Sequence, residues 1–299
     1  MPILFSHIDV ISPSSVDEAL SALDVHRENI RIVAGSTDVS VMLKDRNVKE
    51  KVFLDVSRLH ALKYLRIDKD NLIHIGAAAT YGDCIRNPTL RKNAKVLVQS
   101  LLTIGSPQIR NLATIAGNLG TASPAGDSIP ALFALNGIVT LQSLSGMREV
   151  SVQDFLEGYR KTKRESNELI TEIKLSRVAK GEITFFRKLG LRHANAISLA
   201  SIAFWGQVAK GPKFRAARLA LGAVAPTVIR VDQAEKILIG KTFNSETIGD
   251  VARCCAQEAR PISDIRASAT YRKKAVEGLT RMCFLEVLDE LTAATSHLR

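Results

Sequence analysis

A chain of 299 residues that is 46% hydrophobic, 24% charged and 5% aromatic has ordinary globular composition and length for more than one core, so disorder, collagen and miniprotein scaffolds are excluded. It has no run near the roughly 18 apolar residues of a membrane span, and its start, Met1-Pro2-Ile3-Leu4-Phe5-Ser6-His7, lacks the basic opening and apolar stretch of a signal peptide. The 41 basic residues exceed the 30 acidic ones for a net charge of +11, yet they are dispersed, with a longest unbroken run of three at Arg272-Lys273-Lys274, which suits an acidic partner subunit or a phosphate-bearing cofactor better than nucleic acid.

In chain order, residues 29–34 read as a compact apolar strand ended by Gly35. Ser36 and Thr37 then offer N-cap hydroxyls to a helix over 38–44. Residues 52–56 and 72–77 are further strands, and a helix begins near Thr80. From 104 to 127 the chain is rich in Gly, Ser, Thr, Ala and Asn, and neither helix nor strand periodicity fits it. It is too long for an idle connector. Ile104, Ile109, Leu112, Ile115 and Leu119 would pin it to a core, so it reads as an ordered segment over which a ligand approaches the backbone closely.

A helix with Pro130 in its first turn follows, then a hairpin of 138–144 and 148–152 across Ser145-Gly146. A strand over 169–175 closes this half, and 178–182 is the domain boundary. Strands at 183–188, 198–208 and 214–222 come next, then a helical tail over 232–298 with Ser263-Asp264-Ile265 as a loop-to-helix start.

Several chemistries have no support. No GxGxxG follows a strand, and no GxxxxGK[ST] or GxSxG occurs. His7, His26, His60, His74, His193 and His297 lack metal-ligand spacing, so no metal site is expected. Cys84, Cys254, Cys255 and Cys283 form neither a CxxC nor a disulfide framework, which reads as a reduced, cytoplasmic protein.

Two loops remain. In Ile32-Val33-Ala34-Gly35-Ser36-Thr37-Asp38-Val39, unpaired N–H groups at a strand-to-helix turn can hold an anion such as pyrophosphate, although a plain connecting turn has the same pattern. In Thr114-Ile115-Ala116-Gly117-Asn118, Gly117 permits close approach and has positive φ open to it, while Thr114 and Asn118 supply hydrogen bonds. Downstream lie Thr121, Ser123 and Asp127, which could accept from a ribose hydroxyl; alternatively, Asp127 or Ser128 is the N-cap of the Pro130 helix. Two small-residue cradles on separate segments fit a long dinucleotide lying between lobes.

These segments, with Ser106-Pro107-Gln108-Ile109-Arg110-Asn111, Ala122-Ser123-Pro124-Ala125-Gly126-Asp127, Phe186-Arg187-Lys188, Gly222-Ala223-Val224-Ala225-Pro226-Thr227 and Pro261-Ile262-Ser263-Asp264-Ile265-Arg266-Ala267-Ser268, resemble the FAD-binding medium subunit of the molybdenum hydroxylases. That family includes the xanthine dehydrogenases and aerobic carbon monoxide dehydrogenases, and the resemblance spans essentially the whole chain. It implies an α+β fold: an FAD-binding domain of the p-cresol methylhydroxylase and vanillyl-alcohol oxidase type over 1–178, in two subdomains meeting near 57–60, and a C-terminal α+β domain over 182–299. It also implies that Ile32 to Val39 and Thr114 to Asn118 grip the pyrophosphate, Ile104 lies beside the flavin, Asp127 bonds the sugar–adenine end, and Ile170 and Lys188 complete the pocket. Ser36 and Ala116 replace common glycines, for which altered tightness with retained binding is expected.

By the same resemblance, FAD is bound noncovalently, without catalytic residues for the organic substrate. Electrons arrive from two [2Fe–2S] clusters on a small subunit, fed by a large molybdenum–pterin subunit, in a dimer of heterotrimers, and leave to NAD⁺, a quinone or another acceptor. Lys188 would stabilise negative charge on the reduced flavin, or be a surface lysine guarding a strand edge. The rival readings are a stand-alone flavin oxidase, for which the C-terminal part is small and poor in acid–base residues, and a basic scaffold or nucleic-acid module. Flavin absorbance separates the last from the others.

Overall fold

The computed structural model describes residues 8–45, 47–192, 194–209 and 213–296. Expectations resting on residues 1–7, on His193 and on His297 and Leu298 fall outside the described residues.

The first unit comprises β1 (Asp9–Ile11), α1 (Val16–His26), β2 (Ile30–Val33), α2 (Val39–Lys44) and β3 (Val52–Asp55). Its strands form a parallel sheet in the order β1-β3-β2. Ser15 caps α1 by accepting from the Glu18 N–H, and Ala19, Leu20 and Leu23 turn inward at helical spacing.

The second unit begins with β4 (Leu65–Ile67) and β5 (Leu72–Gly76), followed by α3 (Tyr81–Arg86), α4 (Pro88–Asn93) and α5 (Lys95–Leu102). Next come α6 (Pro107–Arg110), α7 (Ile115–Thr121), α8 (Ser128–Ala134), β6 (Ile138–Ser143), β7 (Gly146–Ser151) and α9 (Val152–Phe155). It ends with β8 (Leu156–Gly158), β9 (Lys161–Thr162) and β10 (Leu169–Ser176). The main sheet runs β4-β5-β10-β6-β7 and is antiparallel, so the last strand of this half occupies the centre. Ile173 and Leu175 alternate into the core there.

The segment expected to be irregular contains α6 and α7. Helix wins at α7 because Thr114 caps it and because Ile115 and Leu119, four residues apart, are both buried. Tertiary burial overrides the weak helix propensity of Gly117, Asn118 and Gly120.

The third unit holds β11 (Glu182–Gly190), β12 (Ser198–Val208), β13 (Phe214–Gly222), β14 (Ile229–Arg230), α10 (Asp232–Gly240), α11 (Ser245–Glu258) and α12 (Ala269–Ser296). The sheet is an antiparallel meander, β11-β12-β13-β14. One face packs Phe185, Phe204 and Phe214 against Phe243 and Phe284 of the helical layer, with edge-to-face contacts such as Phe204–Phe284 at 4.9 Å between centroids. The opposite face places Phe186, Ala203 and Ala220 in the core of the second unit. The last helix begins at Ala269, later than the expected start at Ser263, because Asp264 and Ala267 pair as a bridge and Ser268 caps the helix.

Candidate functional site

The first loop leaves β2 and turns at Gly35 against the connector that leads into α7. A Cβ on Gly35 would stand 1.9 Å from the Leu112 carbonyl oxygen, so only glycine allows this approach. Ser36 follows in left-handed backbone, φ 56°. The expected hydroxyl caps are not made: α2 starts at Val39, and the turn is closed by the Ser40 N–H donating to the Ser36 carbonyl, 2.9 Å. Asp38 occupies the N-cap position without capping; its Oδ2 accepts from the Thr121 hydroxyl (3.2 Å) and lies 3.7 Å from Arg160. This bond joins Ile32-Val39 to the far end of α7.

The second loop proves to be the first turn of a helix. Thr114 Oγ1 accepts from the Gly117 N–H at 3.0 Å, and Asn118 donates to the Thr114 carbonyl at 3.1 Å. Gly117 therefore lies in helical backbone, and the positive φ open to glycine is not used. The N–H groups of Ile115 and Ala116 precede the first intrahelical bond. A Cβ on Gly117 would meet only Thr114 Oγ1, at 3.1 Å, and one on Gly120 only Ile170 Cδ1, at 4.0 Å. This face of α7 is therefore exposed bare backbone, a cradle that side chains would fill. Such a face admits a phosphate-linked cofactor without a side-chain clash. Ile115, Ala116 and Ile170 are buried behind that face.

The remaining expected residues meet in a cleft of about 490 Å³ where the second and third units touch. Ile104, Asn118, Asp127 and Lys188 line it, together with Arg192 and Ile197. Asp127 is buried and does not cap α8: Lys188 Nζ lies 2.7 Å from its Oδ2, and the Ser198 hydroxyl donates to its Oδ1 at 2.5 Å. Burial pushes the Asp127 carboxyl up, against the opposing pull of the Lys188 ammonium. Lys188 is partly buried, its side chain 11% exposed, and donates also to the carbonyls of Thr103 (2.9 Å) and Ala196 (3.0 Å). It is thus neither a free strand-edge lysine nor a free cation; its three contacts tie both cleft walls together. Asn118 accepts from the Ser128 hydroxyl at 2.6 Å.

Sequence reasoning missed the wall formed by Arg192, Asn195, Ala196 and Ile197. The one signal was length: a connection between adjacent antiparallel strands that exceeds the usual two to five residues, roughly, of a hairpin loop.

A bare-backbone cradle and a cleft with a buried ion pair, both on a mixed helix–strand chain, define a cofactor-binding protein of two parts. Residues 6–176 match the family described as the FAD binding domain in molybdopterin dehydrogenase, and residues 185–287 match the CO dehydrogenase flavoprotein C-terminal domain. The chain belongs to the FAD-binding medium-subunit family of the molybdenum hydroxylases and is an oxidoreductase component. It is 31% identical to the nicotinate dehydrogenase FAD-subunit of Eubacterium barkeri, covering 95% of this chain and 97% of the relative. It is 34% identical to the glyceraldehyde dehydrogenase medium chain of Sulfolobus acidocaldarius, over 93% and 97% of the two chains. A chain of the carbon monoxide dehydrogenase structure from Hydrogenophaga pseudoflava superposes with a TM-score of 0.89 at 26% identity, covering 92% of this chain and 95% of that one.

Proposed function

We propose that this chain carries one noncovalent FAD and is the electron-transfer subunit of a heterotrimeric molybdenum hydroxylase, taking electrons from [2Fe–2S] clusters of a small subunit and passing them to an external acceptor. The bare face of α7, joined to the Gly35 turn through Thr121 and Asp38, is the observation that carries the reading. In this reading Ile32 to Val39 and Thr114 to Asn118 hold the diphosphate, with Thr121 fixing their spacing. Ile104, Asp127, Ile170 and Lys188 shape the flavin pocket. The fold is of the p-cresol methylhydroxylase and vanillyl-alcohol oxidase type, with an FAD-binding domain over 1–178 divided near 57–60 and a C-terminal domain over 182–299. The complex adds a large molybdenum–pterin subunit, doubles into a dimer of heterotrimers and is cytoplasmic.

When bound, FAD supplies the exchange between one-electron and two-electron carriers. The residues around the cleft do the rest. Gly35 lets its turn close on the connector ahead of α7, and Gly117 keeps a side chain out of the diphosphate's path, where charge-assisted bonds from N–H groups are stronger than neutral ones. Lys188, held by Asp127, places positive charge beside the cleft without leaving it exposed to solvent. Neither cradle loop contains His or Cys, the residues that would attach the flavin covalently. Acid or heat treatment of the yellow protein should release all its flavin, identified as FAD; a colourless protein, or colour retained on the denatured chain, would overturn the reading.

A further inference from the structure

Between α11 and α12 the chain makes a turn, Ile262-Ser263-Asp264-Ile265-Arg266-Ala267, with an unusually complete anchor. Asp264 and Ala267 form an isolated bridge. Asp264 Oδ1 accepts from the N–H groups of Arg266 (2.9 Å) and Ala267 (3.3 Å), and Oδ2 from Arg266 Nε (3.1 Å). From beneath, Arg272 Nη2 sits 2.9 Å from both carboxylate oxygens. Arg272, only 3% exposed, also donates through Nη1 to the carbonyls of Leu199 (3.0 Å) and Ala223 (3.2 Å). The sequence cluster Arg272-Lys273-Lys274 is therefore one structural cation and two surface ones.

What this anchor displays is apolar. Ile265 at the tip is fully exposed and Ile262 is 73% exposed, with Tyr271 half-exposed after them. Burying a guanidinium is costly unless its partners are well placed, and a loop that only joined two helices would not need it. A rigid turn holding two bare isoleucines in water fits a surface that another protein covers.

The surroundings specify that protein's chemistry. Arg260, Lys273 and Lys274 are exposed and make no ion pair among the described residues, and the carboxylate of the turn itself, Asp264, is engaged by Arg266 and Arg272. An apolar centre with a basic rim calls for an apolar pocket with an acidic rim. The location is continuous with the cleft: Leu199 adjoins Ser198, which bonds Asp127, and the Ala223 N–H donates to the Pro124 carbonyl at 2.8 Å. A partner seated on the turn stands beside the flavin pocket.

Resting on the electron-transfer reading above, we propose that the turn from Ile262 to Arg266 is the docking knob for the electron-donating iron–sulfur subunit, which receives it in an apolar pocket rimmed by Asp and Glu. The test is co-expression of the full complex with a tag on this chain, and measurement of iron per flavin after purification. Ile262→Asp/Ile265→Asp should keep its flavin and lose iron at least about tenfold, the weight of one buried anchor residue. Arg260→Glu/Lys273→Glu, which alters the rim without touching the core, should lower the same ratio. Met147→Asp, an equally exposed apolar site on β7, should leave it unchanged. Wild-type iron per flavin in the isoleucine variant would overturn the knob alone. A wild-type preparation with neither flavin nor iron would instead overturn the electron-transfer reading on which the knob rests.

Discussion

Gly117→Val separates ligand binding from folding. The glycine sits in helical backbone, and a Cβ there would meet only Thr114 Oγ1, at 3.1 Å, so the capping hydroxyl has to give by about a few tenths of an ångström while keeping its bond to the residue 117 N–H. Valine is, by a few tenths of a kcal/mol, a better helix residue than glycine. The folded state should therefore change by less than about 1 kcal/mol, or about 2–4 °C in melting temperature. The added methyls project from the exposed bare face of α7. A diphosphate lying there would be lifted from the N–H groups of Ile115 and Ala116, losing two charge-assisted bonds of about 1.5–3 kcal/mol each. The sum corresponds to about two to four decades in Kd. Fluorescence titration of the apoprotein with FAD, beside a circular-dichroism melt, gives both quantities. A folded variant with wild-type affinity would show that the diphosphate does not lie on this face.

Other changes test neighbouring parts of the site. Ser36→Gly removes the roughly 1–2 kcal/mol penalty of left-handed backbone while adding about 0.5–1 kcal/mol of chain entropy cost. It should raise the melting temperature slightly and bind FAD at least as well; a lower melting temperature would refute the strain assigned to φ 56°. Lys188→Met strands a buried carboxylate and should cost about 3–5 kcal/mol in denaturant unfolding. Adding Asp127→Asn should recover part of that loss, and strictly additive losses would contradict the pairing. Asp264 is held down to about 2 from its ordinary 3.8 by the Arg266 N–H and then by Arg272, so the stability it contributes is present above pH 3.8 and fades as pH falls toward 2. The stability gap between wild type and Asp264→Asn should shrink across that window, and a pH-independent gap would argue against it.

What was legible in the sequence is what local chemistry dictates. The Gly35 turn and the C-terminal meander follow from glycine geometry and apolar runs. The first strand was not legible, since Asp9–Ile11 is three residues long with no buried alternation. Helix α7 was hidden because its glycines weaken the helical signal, and only burial of Ile115 and Leu119 against distant strands decides it. Asp127 and Lys188 were each singled out but their pairing was not, because Lys188 and Ser198 reach Asp127 from strands 61 and 71 positions away. Such pairings are set by how sheets stack, which local periodicity does not encode.

The central claim is that this chain is the flavin carrier of a three-subunit molybdenum enzyme. Its most direct test is the metal and flavin analysis of the tagged chain, purified gently with whatever accompanies it. Acid-releasable FAD at one per chain, co-eluting with molybdenum and with the iron of two [2Fe–2S] clusters, is the expected result. Flavin that elutes on this chain alone, with neither iron nor molybdenum in the preparation, would contradict it.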